Sequence, residues 1–195
     1  FRGEYERVVE LATDNLAALP ADWVYEYLGT SAPISVYDRC NLVTSLAQLG
    51  RFTEAANDET EAIRLAEPTQ HAFTVGTAYR AAGTLHLLQG DWAKARSLLE
   101  HGIAVLRTGN VVVLLSYAVA SSAWILAQLG EASEALNRLR EGEQLVEHLA
   151  ARENVIYRGG AYHALARACL LFGRLDEARR LGNRAVESSP RQPGF

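Results

Sequence analysis

Leu88-Gln89-Gly90-Asp91-Trp92-Ala93-Lys94-Ala95 is restated three more times along the chain. Leu49-Gly50-Arg51-Phe52-Thr53-Glu54-Ala55 precedes it, and Leu129-Gly130-Glu131-Ala132-Ser133-Glu134-Ala135 and Phe172-Gly173-Arg174-Leu175-Asp176-Glu177-Ala178 follow. The glycines stand 40, 40 and 43 residues apart, and an Ala sits five places after each. Self-similarity at such a period marks a stacked repeat in which each unit is one supersecondary element.

The columns around the glycine say what that element is. Seven places before it stand Val43, Gly83, Ala123 and Ala166, and five after it Ala55, Ala95, Ala135 and Ala178. Twelve after it stand Ala62, Gly102, Gly142 and Ala185. Small side chains are needed where two antiparallel helices joined by a tight turn cross closely. The Gly fits the corner because it adopts positive φ at little cost.

Outward from these turns, the apolar spacing predicts an all-α chain without a sheet. Residues 1–20 read as half a repeat, ended by Pro20, and 21–34 as an insert with one short helix over Trp23 to Leu28. Helix pairs follow at about 35–70, 71–110, 111–153 and 154–190, the last from Val155 to Ser188 before a loose tail. Ser35 with Asp38 reads as a capping box. The pairs are expected to stack as one right-handed superhelix, an α-solenoid forming a single domain. With no Met and a first repeat lacking its first helix, the chain reads as a piece of a longer protein.

The turn, the small columns and an aromatic shortly after the Gly (Tyr5, Phe52, Trp92) resemble the tetratricopeptide repeat. Ala132 and Leu175 depart from that aromatic position, and the period exceeds the family's usual 34. A second resemblance rests on Arg39-Cys40 through Ala55, on Gly83-Thr84-Leu85-His86-Leu87-Leu88-Gln89-Gly90-Asp91 and on Leu170 through Arg179. These are similar to the C-terminal repeat region of large bacterial signalling proteins that carry a class III nucleotide cyclase and an ATPase. No residue of either catalytic domain is present here.

Composition narrows the function. A net charge of −4 lacks the basic face expected of a nucleic-acid binder. Apolar runs reach only five residues, as in Val111–Leu115, against the ~18 of a membrane span. Cys40 and Cys169 lie in helical apolar patterns and read as buried thiols of a cytoplasmic protein. No phosphate loop, His-Glu-x-x-His or Gly-x-Ser-x-Gly elbow occurs, so no catalytic residue, metal or cofactor is expected. His86 reads as a core histidine, and the acidic pairs Asp58-Glu59 and Asp176-Glu177 as solvated faces.

Binding is the remaining class. The tetratricopeptide resemblance implies that the first helix of each pair lines a concave groove, with ligand contacts at fixed offsets from the turn. Those offsets select Tyr37, Thr44 and Gln48; Thr77, Arg80 and Thr84; Tyr117, Trp124 and Gln128; and His163 with Arg167. Arg80 and Arg167 suit carboxylates or phosphate, and Tyr117 with Trp124 suits an aromatic anchor, unless Trp124 simply fills the core. The expectation is a non-catalytic protein-interaction and regulatory module of a bacterial signal-transduction protein. Its partner would be a protein or peptide segment, including other domains of the same protein. A small-ligand or peptide sensor and a structural scaffold forming homo-oligomers are the alternatives.

Overall fold

A computed structural model describes residues 3–151 and 157–188. Among the described residues the regular structure is helical: α1 Tyr5–Ala18, α2 Ile34–Gln48, α3 Phe52–Ala66, α4 Ala72–Gln89, α5 Trp92–Thr108, α6 Val112–Gln128, α7 Ala132–Ala150, α8 Arg158–Leu171 and α9 Leu175–Glu187. The expected start of the last pair at Val155, and the tail from Ser189, lie outside the described residues.

Each recurring turn is built by the same local chemistry. Gly50, Gly90, Gly130 and Gly173 take φ of +75°, +87°, +77° and +69°. The next residue folds back on the first helix: Arg51, Asp91, Glu131 and Arg174 donate their N–H to the carbonyls of Leu46, His86, Leu126 and Cys169 at 2.9–3.0 Å. Two carbonyls otherwise orphaned at the helix end are thereby satisfied, because the Gly N–H takes a second one. Between α5 and α6 the same turn recurs with Asn110 (φ +52°) at the left-handed position, and Val111 N–H donates to the Leu106 carbonyl at 2.9 Å. Gly109 is needed there for room: a Cβ on it would stand 2.1 Å from that of Ala72.

The chain divides into two compact units, Glu4–Val111 and Val112 onward. In the first, α2 pairs with α3 and α4 with α5, α2 lies against α4, and α1 packs on α2. In the second, α6 pairs with α7 and α8 with α9, and α6 lies against α8. The small columns sit at the crossings. Ala55, Ala95 and Ala135 are fully buried, and a Cβ on Gly83 would meet Leu99 Cγ at 2.5 Å. Ala185, in the last repeat, is only half-buried.

Two local expectations are corrected. The 21–34 insert holds a single 3-10 turn, Ala21–Trp23, and no helix reaches Leu28, whose φ is +46°. Its aromatic residues follow no helical period, and side-chain hydrogen bonds fold the backbone as a loop instead. The capping box also fails. Helix α2 starts at Ile34 behind Pro33, so Ser35 is already inside it and donates to the Val24 carbonyl at 2.5 Å. Asp38 is buried and accepts from Asn15 Nδ2 at 3.0 Å.

Candidate functional site

The candidate residues of the second unit converge on one face. Helix α6 brings Tyr117 and Trp124 to the same side, about 10 Å apart along its axis. Beside them α8 presents Gly160, His163 and Arg167 at the matching interval. The Arg167 guanidinium lies 4.7 Å from the Trp124 ring centroid, and His163 meets that ring edge-on at 6.0 Å. Gly160 lets α8 approach, since a Cβ there would come within 2.5 Å of Tyr117 Cε2. Tyr157, at the start of α8, approaches Tyr117 at 6.3 Å between ring centres.

Burial divides this face into a floor and a lip. Trp124 is 8% exposed, and its indole N–H has no acceptor among the described residues. His163 and Arg167 are exposed, as are Leu170 and Leu171 one turn further, while Gln128 is half-buried. No carboxylate among the described residues pairs with Arg167, whose cation instead rests on the indole face. Partial burial of the ring first, and the Arg167 charge second, hold the His163 imidazole below its usual pKa. Neutral His163 beside cationic Arg167 is thus the favoured state, and the lip offers donors for an anion.

The first unit places its candidates differently. Thr77, Arg80 and Thr84 on α4 are buried, Tyr37 and Thr44 are half-buried, and Gln48 is exposed. The hydroxyls of Thr44, Thr77 and Thr84 each donate to the carbonyl four residues back, at 2.8, 2.7 and 2.9 Å. Those donors are consumed inside their own helices. Burial pushes the Cys40 thiol up to about 12 against the pull of Arg80 and Arg39, which favours the protonated thiol at neutral pH.

Two features escaped sequence reasoning. Glu59 is not on a solvated face. It is 7% exposed and accepts from His86 Nε2 at 2.9 Å, while Asp58 beside it is half-buried. Its burial follows from Ala55, Ala62 and Ala66, all buried, sharing its helix face. The other is a run of exposed large side chains at Trp23, Tyr25, Tyr27 and Leu28, for which aromatic density without a helical period was the signal. No group of three or more His, Cys, Asp or Glu is placed to hold a metal ion among the described residues. None of the described helices is long and apolar enough to cross a membrane.

The tetratricopeptide-repeat model matches two segments, 76–101 and 159–181, which straddle the turns at Gly90 and Gly173. None of the curated protein sequences matches the chain. Among solved structures, it is similar to a Rap protein complexed with Competence and Sporulation Factor, at 14% identity and a TM-score of 0.63 over 95% of this chain. It spans 59% of the length of that Rap chain. It is also similar to BtubC (BKLC) from P. vanneervenii, at 15% identity and a TM-score of 0.67, covering 98% of this chain and 76% of that one. The chain is an all-α array of tetratricopeptide-like helix pairs.

Proposed function

We propose that the chain is a non-catalytic interaction module whose α6–α8 face captures an acidic segment of a partner protein or peptide. The carrying observation is Arg167, stacked on Trp124, exposed, and with no carboxylate of its own chain to satisfy it among the described residues. A guanidinium resting over an indole ring has its fork of donors partly ordered, so a partner carboxylate gains charge-assisted hydrogen bonds with less of the arginine left to organise. Leu170 and Leu171 supply apolar contact next to it, and His163 a second polar group. A Rap protein of this fold holding Competence and Sporulation Factor supports capture as the use of such a scaffold.

The resemblance to repeat regions of bacterial signalling proteins supports a regulatory setting, in which capture is relayed to other domains of the same protein. Two buried free thiols fit a reducing, cytoplasmic location.

The test is a titration of the isotopically labelled chain with a short synthetic peptide alternating Glu and Leu, against its counterpart with Gln for Glu. The acidic peptide should shift the Trp124 indole and His163 signals, and the neutral one should not. Arg167→Ala should weaken binding about tenfold, the scale of one charged hydrogen bond. Equal binding of the two peptides, or an unaffected Arg167→Ala variant, would overturn the assignment.

A further inference from the structure

The loop between α1 and α2 turns four large apolar side chains to solvent: Trp23 is 44% exposed, Tyr25 50%, Tyr27 39% and Leu28 56%. Singly scattered exposed apolar residues need no explanation, but four within six positions of one loop call for one. The loop that carries them is firmly built. Thr30 donates its N–H to the Tyr27 carbonyl at 2.8 Å and its hydroxyl to the Ala32 carbonyl at 2.5 Å. Ile34 N–H reaches back to Glu26 at 3.0 Å, and Ser35 Oγ to Val24 at 2.5 Å. Leu28 is held at φ +46°, a conformation disfavoured for a residue with a branched side chain. The backbone is thus fixed in a shape that keeps the aromatic rings out of the core.

Tyr25 and Tyr27 border a cleft of about 360 Å³ whose other lining residues are Pro33, Pro68 and Thr69. Tyr27 is braced by His71, edge-on at 6.0 Å between ring centres. Between Tyr25 and Tyr27 in the chain stands Glu26, exposed and without a cationic partner among the described residues. Two parallel needs are therefore set side by side: flat aromatic faces suited to stacking on pyrrolidine rings, and a carboxylate suited to a basic residue. A proline-rich segment in the polyproline II conformation meets both. Its three-residue turn puts Pro-x-x-Pro prolines on one face about 9 Å apart, and it has little conformational freedom left to lose.

The chain contains a Pro-x-x-Pro sequence, Ser189-Pro190-Arg191-Gln192-Pro193-Gly194-Phe195, outside the described residues. Pro190 and Pro193 have the spacing, and Arg191 has the charge that answers Glu26. We infer that the Tyr25–Tyr27 cleft docks the Pro190–Pro193 segment of a second copy of this chain, so that copies associate tail to cleft.

Light scattering on the full chain across a range of concentrations, with ring signals of Tyr25 and Tyr27 followed by NMR, reads the association directly. Two variants, Tyr25→Ala with Tyr27→Ala and Pro190→Ala with Pro193→Ala, should each lose it while keeping the helical circular dichroism of the parent. Mixed together they should form a heterodimer, because the first keeps an intact tail and the second an intact cleft. A synthetic peptide of residues 189–195 should compete the parent apart and shift the two tyrosine rings. A parent that stays monomeric, variants that associate like the parent, or a mixture that stays monomeric would overturn the inference. Ring shifts that are independent of concentration would overturn the second-copy assignment. Shifts with a foreign proline-rich peptide but none with residues 189–195 would assign the cleft to another protein.

Discussion

His86 Nε2 stands 2.9 Å from Glu59 Oε1, joining α4 to α3 through a pair almost closed to solvent. Lys94, on α5, places its Nζ 4.0 Å from the same carboxylate oxygen. Removing one member strands a buried polar group, which costs more than the net worth of the bond itself. Glu59→Ala and His86→Ala should each destabilise the chain by about 1–3 kcal/mol. The double variant should lose clearly less than the sum, because neither side is then left unpaired. Additive losses in urea titrations would mean that the pair is not coupled.

Gly83 is a case where two effects of opposite sign compete. In an exposed helix, Gly→Ala gains about 1 kcal/mol of helix propensity. Here the added Cβ would stand 2.5 Å from Leu99 Cγ, inside the crossing of α4 and α5. Overpacking of that kind costs about 1–3 kcal/mol, so Gly83→Ala should destabilise on balance. Ala95→Leu and Ala135→Leu, at fully buried crossing positions, should also lower the thermal midpoint. A Gly83→Ala chain that melts above the parent would show that Leu99 can move aside.

Burial raises the pKa of Asp38 above the ordinary carboxylate value, against the hydrogen bonds from Asn15 and Asn41 that pull it down. The folded chain therefore takes up this proton at a higher pH than the unfolded chain does. Its contribution favours folding fully below the unfolded value of about 3.9 and is lost as the pH rises through the raised folded value. Asp38→Asn should thus gain stability relative to the parent at neutral pH, with the gain shrinking toward pH 4. Denaturant midpoints at the two pH values check this, and a constant difference between the two chains would count against it.

His163 runs the other way. Partial burial and the neighbouring Arg167 depress its pKa, so the neutral ring is favoured in the folded state. Its contribution to stability is present above about pH 6.5 and is lost as the pH falls through the depressed folded value. NMR titration of the ring should give a midpoint below 6.5, and Arg167→Ala should move it only part of the way back, since burial is the larger cause. Full restoration by that substitution would mean that the guanidinium charge alone depresses the ring.

The repeat was legible because its signal is local: positive φ and a tight helix crossing each demand a specific small residue, and those demands recur at Gly50, Gly90, Gly130 and Gly173. The helix ends beside those four glycines were legible for the same reason. Convergence of Trp124 and Arg167 was readable, because each stands six residues before its turn glycine, and His163 lies one helical turn before Arg167 on the same helix. Burial of Thr77, Arg80 and Thr84 was not, because it depends on what packs over α4 rather than on α4 itself. Glu59 was misread because its partner lies 27 residues away. The 21–34 loop was misread because its fold is dictated by hydrogen bonds of Thr30 and Ser35, which leave no periodic trace.

At the four turn glycines nothing stands within 4 Å of where a side chain would begin, and all four are exposed. What excludes alanine there is handedness alone: an L-residue resists φ near +80°, and its mirror image prefers it. A D-alanine placed at position 90 by chemical synthesis would satisfy the corner and narrow the conformations open to the unfolded chain. The corner of each helix pair is thus a position where the opposite chirality, and not a larger or smaller residue, is the natural route to a more stable protein.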